Sequence, residues 1–570
     1  MPSTLDLRVE QAIDDLTKEG AQLALTQHVT KDGISVPMIA VAPPTLPLYF
    51  AYFCFQHGDK DFLVDGDQRL TFGEAYQLAT RVAHGLIKRH GVEKGDRVGI
   101  AMRNAPHWVV LYMGILMAGG VATLLNGWWQ GGELCDGIED VEARLVFVDA
   151  PRARRLAECG RRTGASIVTI DLAQPPATAL ADVLGEGAEL PQLTGDDLAT
   201  ILFTSGSTGR SKGAYSTHRA VVQGSFNYIA MALMLLRIGM EDGTIKPNPP
   251  PHAILQTVPL FHVTGEIPML LVSFAIGRKV VLMPKWDALL AMQLIEREQV
   301  TNFTGVPLMS WEILNHPERD KYDLSSVQGF AAGGAPRPPE HVRRLNEEMP
   351  APPSLGYGLT ETNAVGAGSF STNYLEKPNS TGRASKPLVE LAIKDDAGDN
   401  VPQGERGEVC IRSVALFSGY WNNPEASAAC MTADGYFRTG DVGYLDADDY
   451  LFIVDRKKDI IIRGGENISC QEVEAAFYEH PEVGEVAVFG LPDERFGEIP
   501  GAVVHPLDGA NLSEDALRGF LAERLAAFKV PARIWLSADP LPKLGTEKID
   551  KVGLRAHFRG EHEREVRAAA

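Results

Sequence analysis

The chain has 570 residues, 45% hydrophobic and 22% charged, an ordinary globular balance that excludes collagen-like, disordered and disulfide-scaffold classes. At ~150 residues per domain this length implies roughly four units, more than one hydrophobic core can serve. The formal net charge of −20 opposes holding nucleic acid by its phosphates and opposes anionic membrane surfaces, so any anionic ligand needs a local basic pocket. Cys54, Cys135, Cys159, Cys410, Cys430 and Cys470 form no CxxC pair, so neither a zinc site nor a thioredoxin-like motif is signalled. Free thiols and the absence of a secretory signal at the N-terminus lead us to expect a cytoplasmic protein.

After a polar N-terminal helix, Leu70-Thr71-Phe72-Gly73-Glu74 opens a helix that runs to about Arg89. Strand Val98–Ala101, a helix over His107–Met117, strand Val121–Leu124 and strand Ala143–Asp149 follow. This alternation predicts parallel βαβ construction. Trp108 to Leu125 contains no charged residue, but Gly119-Gly120 interrupts it, so a buried helix followed by a buried strand is expected and no integral membrane segment. Gln174–Gly195, rich in Pro, Ala and Gly, is expected to be a surface connection, and Lys246–Pro251 a second exposed loop.

Past Asp455 the pattern resets. Ser469-Cys470-Gln471-Glu472 is a capping box for a helix with Val473, Ala476 and Phe477 on one face. Strands Val486–Gly490 and Ala502–His505 and a helix from Ser513 to about Phe528 complete a small α+β unit. The fold class is therefore α/β, with a large N-terminal domain of βαβ subdomains over 1–456 and a small C-terminal α+β domain over 457–570. A short linker near Arg456–Asp459 joins them.

The strongest local signal is Thr204-Ser205-Gly206-Ser207-Thr208-Gly209-Arg210-Ser211-Lys212-Gly213, directly after the apolar strand Leu198–Phe203. Glycines let backbone N–H groups approach a ligand, hydroxyls add donors and Lys212 adds a positive charge, a combination suited to polyphosphate oxygens. It is not a Walker A loop, because Ser211 precedes the lysine and Gly213 follows it.

Three further segments stand in register with it: Gly356-Tyr357-Gly358-Leu359-Thr360-Glu361-Thr362, Tyr436-Phe437-Arg438-Thr439-Gly440-Asp441 and Leu541-Pro542-Lys543-Leu544-Gly545-Thr546-Glu547-Lys548. Together the four resemble the adenylate-forming superfamily, which includes acyl-CoA synthetases, adenylation domains of peptide synthetases and beetle luciferases. The resemblance spans about Leu70 to Lys551. It implies that Thr204, Ser205, Gly206, Ser207, Thr208, Gly209 and Lys212 hold the β- and γ-phosphates of ATP. Gly333, Gly334, Ala335, Pro336 and Tyr357, with Gly356 and Gly358, would pack around adenine. Thr360 would touch the α-phosphate, and Glu361, with Thr208, would hold Mg²⁺. Asp441 and Arg456 would bind the ribose, and Lys548 would reach the carboxylate and α-phosphate.

The resemblance further implies a second half-reaction with coenzyme A. The small domain would turn at Lys458, withdrawing Lys548 and presenting Arg463-Gly464-Gly465-Glu466-Asn467 to the pantetheine arm. Three residues depart from the family pattern: Ser211 stands where proline is usual, Leu544 where threonine is, and Glu547 where glycine precedes the lysine. Glu547 sets a negative charge beside Lys548.

Amino-acid-activating relatives carry an aspartate after the phenylalanine in Pro259-Leu260-Phe261-His262-Val263-Thr264-Gly265, whereas this chain has His262. An ammonium buried without a counter-ion is costly, so α-amino acids are disfavoured. His262 resembles the aromatic gate of acyl- and aryl-CoA synthetases. Apolar walls are expected from Phe226–Leu236 and Gly305-Val306-Pro307, with methionines suited to flexible chains. Asn126-Gly127-Trp128-Trp129 and Gly419-Tyr420-Trp421-Asn422-Asn423-Pro424 look most like bacterial fatty-acid–CoA ligases. The expected activity is an ATP-dependent acid–CoA ligase for a medium- or long-chain fatty acid. Alternatives are an aryl acid–CoA ligase, an acyl-adenylate ligase serving a carrier protein or amine, and a non-catalytic nucleotide-binding protein. The partners are small molecules, and a homodimer is compatible with the sequence.

Overall fold

The computed structural model describes residues 2–204, 211–243, 251–335, 337–349, 351–507, 509–544 and 548–569. Two large sheets dominate the N-terminal part. In the first, seven strands run in the order Gly419–Tyr420, Lys212–Thr217, Leu198–Thr204, Val121–Leu124, Arg97–Ala101, Leu145–Asp149, Ser166–Ile170. The last five are mutually parallel, as the βαβ pattern predicted, and Lys212–Thr217 closes an antiparallel hairpin on Leu198–Thr204. In the second sheet a parallel centre joins Pro353–Gly358, Gly329–Gly333, Asn302–Gly305, Ala253–Gln256, Lys279–Leu282 and Asp61–Asp65.

Helices fill the space between the sheets. Thr71 caps Phe72–His90 through a reciprocal bond pair with Glu74, and Gly91 ends it in the left-handed region. Every residue of the next helix, Pro106–Met117, is buried. These helices share one apolar core with Leu46–His57 and His218–Glu241, reaching Ile100 and Phe147 of the first sheet and Phe62 and Ile254 of the second. The uncharged run from Trp108 is thus a buried helix and the strand Val121–Leu124, as expected. Among the described residues, His218–Glu241 is long and apolar enough to cross a membrane by length and composition, but 61% of its apolar window is buried inside the fold.

A four-stranded antiparallel sheet, Glu390–Lys394, Gly407–Arg412, Phe437–Leu445 and Leu451–Arg456, leads to the small unit. Ser469 caps Cys470–Tyr478, burying Val473, Ala476 and Phe477. The two strands predicted next are longer than the pattern indicated, Val483–Asp493 and Gly497–Pro506, paired as one antiparallel hairpin. Arg533–Leu536 adds to it in parallel, and the predicted helix from Ser513 ends at Ala522.

Gln174–Gly195 is more than a surface connection. Leu180 and Val183 are buried against Phe72–His90, and a Cβ at Gly85 would lie 1.6 Å from the Val183 carbonyl oxygen. Backbone lies against backbone there, so no side chain can rotate away to relieve the clash. Gly85→Ala should therefore destabilise the fold by about 3 kcal/mol, read from the urea unfolding midpoint. An unchanged midpoint would show that this segment does not pack as described.

Candidate active site

The site forms at the carboxyl ends of the second sheet's parallel strands, where ligands gather in open α/β sheets. Gly305 pairs with Ala332, and Gly333 with Gly356, which sets Gly305-Val306, Gly333-Gly334 and Gly356-Tyr357 side by side. A pocket of about 230 Å³ lies at these ends, lined by Val258, His262, Thr264, Gly305, Val306, Gly333, Gly334 and Lys548. Lys548 comes from the small unit. A Cβ at Gly334 would sit 2.9 Å from its Nζ, the movable end of a flexible side chain, and Gly334 has φ +76°, so the backbone conformation selects glycine. Ala335 follows Gly334. Pro336 lies outside the described residues.

Burial and the charge of Arg456 lower the Lys548 pKa to about 8, against the pull of Asp441. Burial and the lysine's own charge lower that of His262 to about 3. His262 is therefore neutral at physiological pH, where the ordinary imidazole value had allowed weak cationic character. Its Nδ1 accepts from the Thr264 N–H at 3.2 Å.

Tyr357 lies on the strand Pro353–Gly358, and its hydroxyl donates to Asp441 Oδ2 at 2.6 Å. Arg456 Nε lies 3.1 Å from the other oxygen, Oδ1, because the two residues face each other across paired strands. The backbone N–H of Asp441 donates to Thr439 Oγ1 at 3.1 Å. Burial pushes the Asp441 carboxyl pKa up, while Arg456 and the Tyr357 bond pull it down.

Thr360 and Glu361 sit on a tight helical turn that leads into two left-handed residues, Asn363 (φ 48°) and Ala364 (φ 65°). Non-glycine residues adopt this region only when their surroundings enforce it. Here the Tyr228 hydroxyl donates to Ala364 O at 2.7 Å, and a Cβ at Gly358 would meet that oxygen at 2.1 Å. Glu361 is buried, which raises its pKa, and Oε1 accepts from the Tyr420 hydroxyl at 2.8 Å. Lys212, paired with Thr204 at the mouth of its hairpin, places Nζ 5.0 Å above the Tyr420 ring. Ser205, Gly206, Ser207, Thr208 and Gly209 lie outside the described residues, as does Glu547.

The structure thus brings together three groups: His262, Gly334 and Lys548; Tyr357, Asp441 and Arg456; and Glu361, Lys212 and Tyr420. Lys458, Gly464, Gly465 and Asn467 line neither described pocket. Gly464 and Gly465 turn between Ile461–Arg463 and Glu466–Ile468, with φ +59° and +93°, so the turn itself selects glycine there. The expected apolar wall is corrected in part. Phe226 packs on Tyr49 and Phe53 in the core, and Met234 packs on Ala12 and Ile13 of the N-terminal helix.

Tyr420, noted in the sequence only within the run Gly419 to Pro424 as part of a resemblance, was given no site role there, and its bond to Glu361 was missed. A second cleft was missed altogether. It measures about 360 Å³ and is lined by Arg103, Trp128, Arg152, Phe261, Lys285 and Trp286 among others. Arg152 is tied to Asp149 at 3.1 Å, whereas Arg103 and Lys285 make no ion pair among the described residues. Phe261 lines this cleft and its neighbour His262 lines the pocket, so the two openings meet at adjacent residues.

Removing the Tyr420 hydroxyl leaves a buried carboxylate short of a donor. Tyr420→Phe should cost about 1–3 kcal/mol of stability near neutral pH, read from chemical unfolding. A midpoint equal to wild type would mean that the Tyr420–Glu361 bond is not made in solution.

Known proteins place this arrangement. The family model described as AMP-binding enzyme matches residues 50–421, and that of the AMP-binding enzyme C-terminal domain matches 472–548. The chain is 31% identical to the long-chain-fatty-acid–CoA ligase of Bacillus subtilis, covering 86% of this chain and 90% of that one. It is 34% identical to a feruloyl-CoA synthase of Amycolatopsis, covering 86% and 95%. The crystal structure of ATP-bound MatB from Rhodopseudomonas palustris superposes with a TM-score of 0.78 at 28% identity, covering 90% of this chain and 99% of that one. With four motifs in register, a large and a small unit, and a lysine of the small unit in a pocket at the strand ends, the chain belongs to the AMP-binding enzyme family.

Proposed function

We propose that this AMP-forming acid–thiol ligase activates an apolar carboxylic acid, a medium- or long-chain fatty acid first, and transfers it to coenzyme A. The placement of Lys548 against Gly334 and His262 carries the reading. A substrate carboxylate oxygen attacks the α-phosphorus of ATP, and the bond to the pyrophosphate oxygen breaks. The acid is already ionised at neutral pH, so no protein base is needed. Two anions must approach, and the Lys548 ammonium offsets their repulsion at the point where charge develops.

Asp441 and Arg456 would hold the ribose, with the Tyr357 ring against adenine. Its hydroxyl bond to Asp441 fixes the ring, which supports that role. Thr360 would contact the α-phosphate, and Thr204 to Lys212 the outer phosphates. No group of three or more metal-ligating side chains exists among the described residues. A single carboxylate, Glu361, with Thr208 and substrate phosphates, is nevertheless a donor set that suits Mg²⁺. When bound, that ion would neutralise phosphate charge.

The coenzyme A thiol then attacks the acyl carbonyl, AMP leaves, and a thioester forms. We place the domain boundary at 456/457, with Lys458 as the hinge that brings Gly464, Gly465 and Asn467 to the thiol arm. The second cleft favours coenzyme A over an amine as acceptor, because two cations without ion pairs among the described residues and two indoles suit a phosphorylated nucleotide. The free cysteines accord with a cytoplasmic location.

Neutral His262 and the absence of any carboxylate among the described residues lining the pocket support an apolar acid. Among those residues an α-amino acid would find no partner for its ammonium. An aryl acid is the second reading, supported by the likeness to feruloyl-CoA synthase. Pyrophosphate release across octanoate, dodecanoate, benzoate, ferulate and leucine, with and without coenzyme A, tests both. Octanoate should exceed leucine in kcat/KM by at least ~10²-fold, and each added methylene should help by up to ~0.8 kcal/mol until the pocket fills. Benzoate or ferulate ahead of both fatty acids would replace the first reading with the second. Leucine equal to octanoate would defeat both.

Lys548→Ala should slow adenylation, each ~1.4 kcal/mol of lost stabilisation costing tenfold, while thioester formation from supplied acyl-adenylate largely survives. Equal damage to both half-reactions would show that Lys548 does not act in adenylation alone.

A further inference from the structure

The segment that delivers Lys548 is anchored at its base. The Leu544 N–H donates to Lys548 O at 2.7 Å, Lys543 faces Ile549 across an isolated bridge, and the Asp550 N–H donates to Pro542 O at 2.8 Å. Lys543 therefore stands where any shift is passed on to Lys548. Its Nζ lies between two carboxylates, 3.1 Å from Glu485 of its own unit and 3.3 Å from Glu312 of the large unit. The second Glu485 oxygen accepts from the Leu541 N–H at 2.7 Å, tying that carboxylate to the same segment. Both carboxylates raise the Lys543 pKa, against the opposing effect of burial.

Glu312 lies on the helix Pro307–Leu314, and its second oxygen accepts from the Trp286 indole N–H, so it is pre-aimed. A neighbouring foothold lies on the same helix. Trp311 stacks on His341, ring centroids 3.7 Å apart, and His341 in turn meets Tyr478 of the small unit edge-on at 5.5 Å. The contacts of the small unit with the large unit thus include, beside the helix Pro307–Leu314, a detachable ion pair and an aromatic contact.

We propose that Glu312 is a positioning residue for adenylation: it clasps Lys543 and so holds Lys548 in the pocket. The proposal rests on the reading that Lys548 serves the first half-reaction only. The chemistry suits a clasp that must open. If the small unit turns away, Glu485 travels with Lys543 and keeps its charge paired, while Glu312 keeps the Trp286 N–H, so neither partner is stranded. The Lys543–Glu312 pair is also partly open to water, with side chains 20% and 33% exposed. Such pairs are worth little, enough to bias a population without locking it.

The test compares pyrophosphate release without coenzyme A against thioester formation from supplied acyl-adenylate. Wild type, Glu312→Gln, Lys543→Met, Lys543→Arg and Lys548→Ala are measured in parallel. Glu312→Gln and Lys543→Met should lower kcat for pyrophosphate release by about two- to fivefold with KM for ATP little changed. Thioester formation should be unaffected or faster, and Lys543→Arg should restore pyrophosphate release. Raising the salt concentration should bring wild type towards Glu312→Gln, because a partly exposed pair is screened. Equal slowing of both half-reactions, or no recovery with arginine, would mark a merely structural contact and overturn the proposal. So would an unchanged Glu312→Gln enzyme while Lys548→Ala fails to release pyrophosphate. If Lys548→Ala itself releases pyrophosphate normally, the reading of Lys548 falls first, and the clasp falls with it.

Discussion

An ammonium group enclosed by protein loses the water that stabilised its charge, and the structure depends on how that loss is managed at Lys548. Its pKa falls to about 8, and no carboxylate among the described residues lies within ion-pair distance of its Nζ. Among the described residues Asp441 offsets that charge only in part and without an ion pair, and anionic substrates at the ends of the parallel strands would supply the rest. Other features answer to this arrangement. Gly334, in the left-handed region at φ +76°, leaves the lysine room beside it, and His262 stays neutral because burial, and then the lysine's charge, disfavour a second cation there.

The two site carboxylates are managed by a common device. Asp441 and Glu361 are both buried, both have raised pKa values, and each accepts a phenolic hydroxyl, from Tyr357 and Tyr420 respectively. A phenol donates without adding charge, so it orients a carboxylate while leaving most of its negative charge available. The same rings present aromatic faces, one beside the strand-end glycines and one beneath Lys212. Tyrosine therefore supplies order at this site, and the lysines and arginines supply charge.

Much of this was legible in the sequence because it is local. The reciprocal cap at Thr71, the Ser469 cap, the glycine-bounded strands and the four motifs each occupy a few adjacent residues. What escaped depends on contacts between distant segments. Tyr420 reaches Glu361 across 59 positions, and Lys543 reaches Glu312 across 231, so no short pattern marks either. Helical periodicity showed that Phe226 and Met234 lie on apolar faces but not which apolar neighbours they meet; those neighbours are core residues. The burial of Leu180 and Val183 escaped because Gly85, which admits them, reads in sequence as a weak point in a helix. The small unit's strands were underestimated because Val483–Asp493 contains Gly and Pro near its ends.

The proposed adenylation turns on the charge of Lys548, and a pH profile reads that charge directly. For the free enzyme, kcat/KM for pyrophosphate release follows the protonation state of the groups it needs. A lysine lowered to about 8 is charged below that value and neutral above it, so activity should fall as pH rises through about 8. The falling limb should vanish in Lys548→Ala, leaving a low, flat profile over the same range. A wild-type profile that stays level to pH ~10, the ordinary lysine range, would contradict a buried ammonium, unpaired among the described residues, as the element on which this site depends.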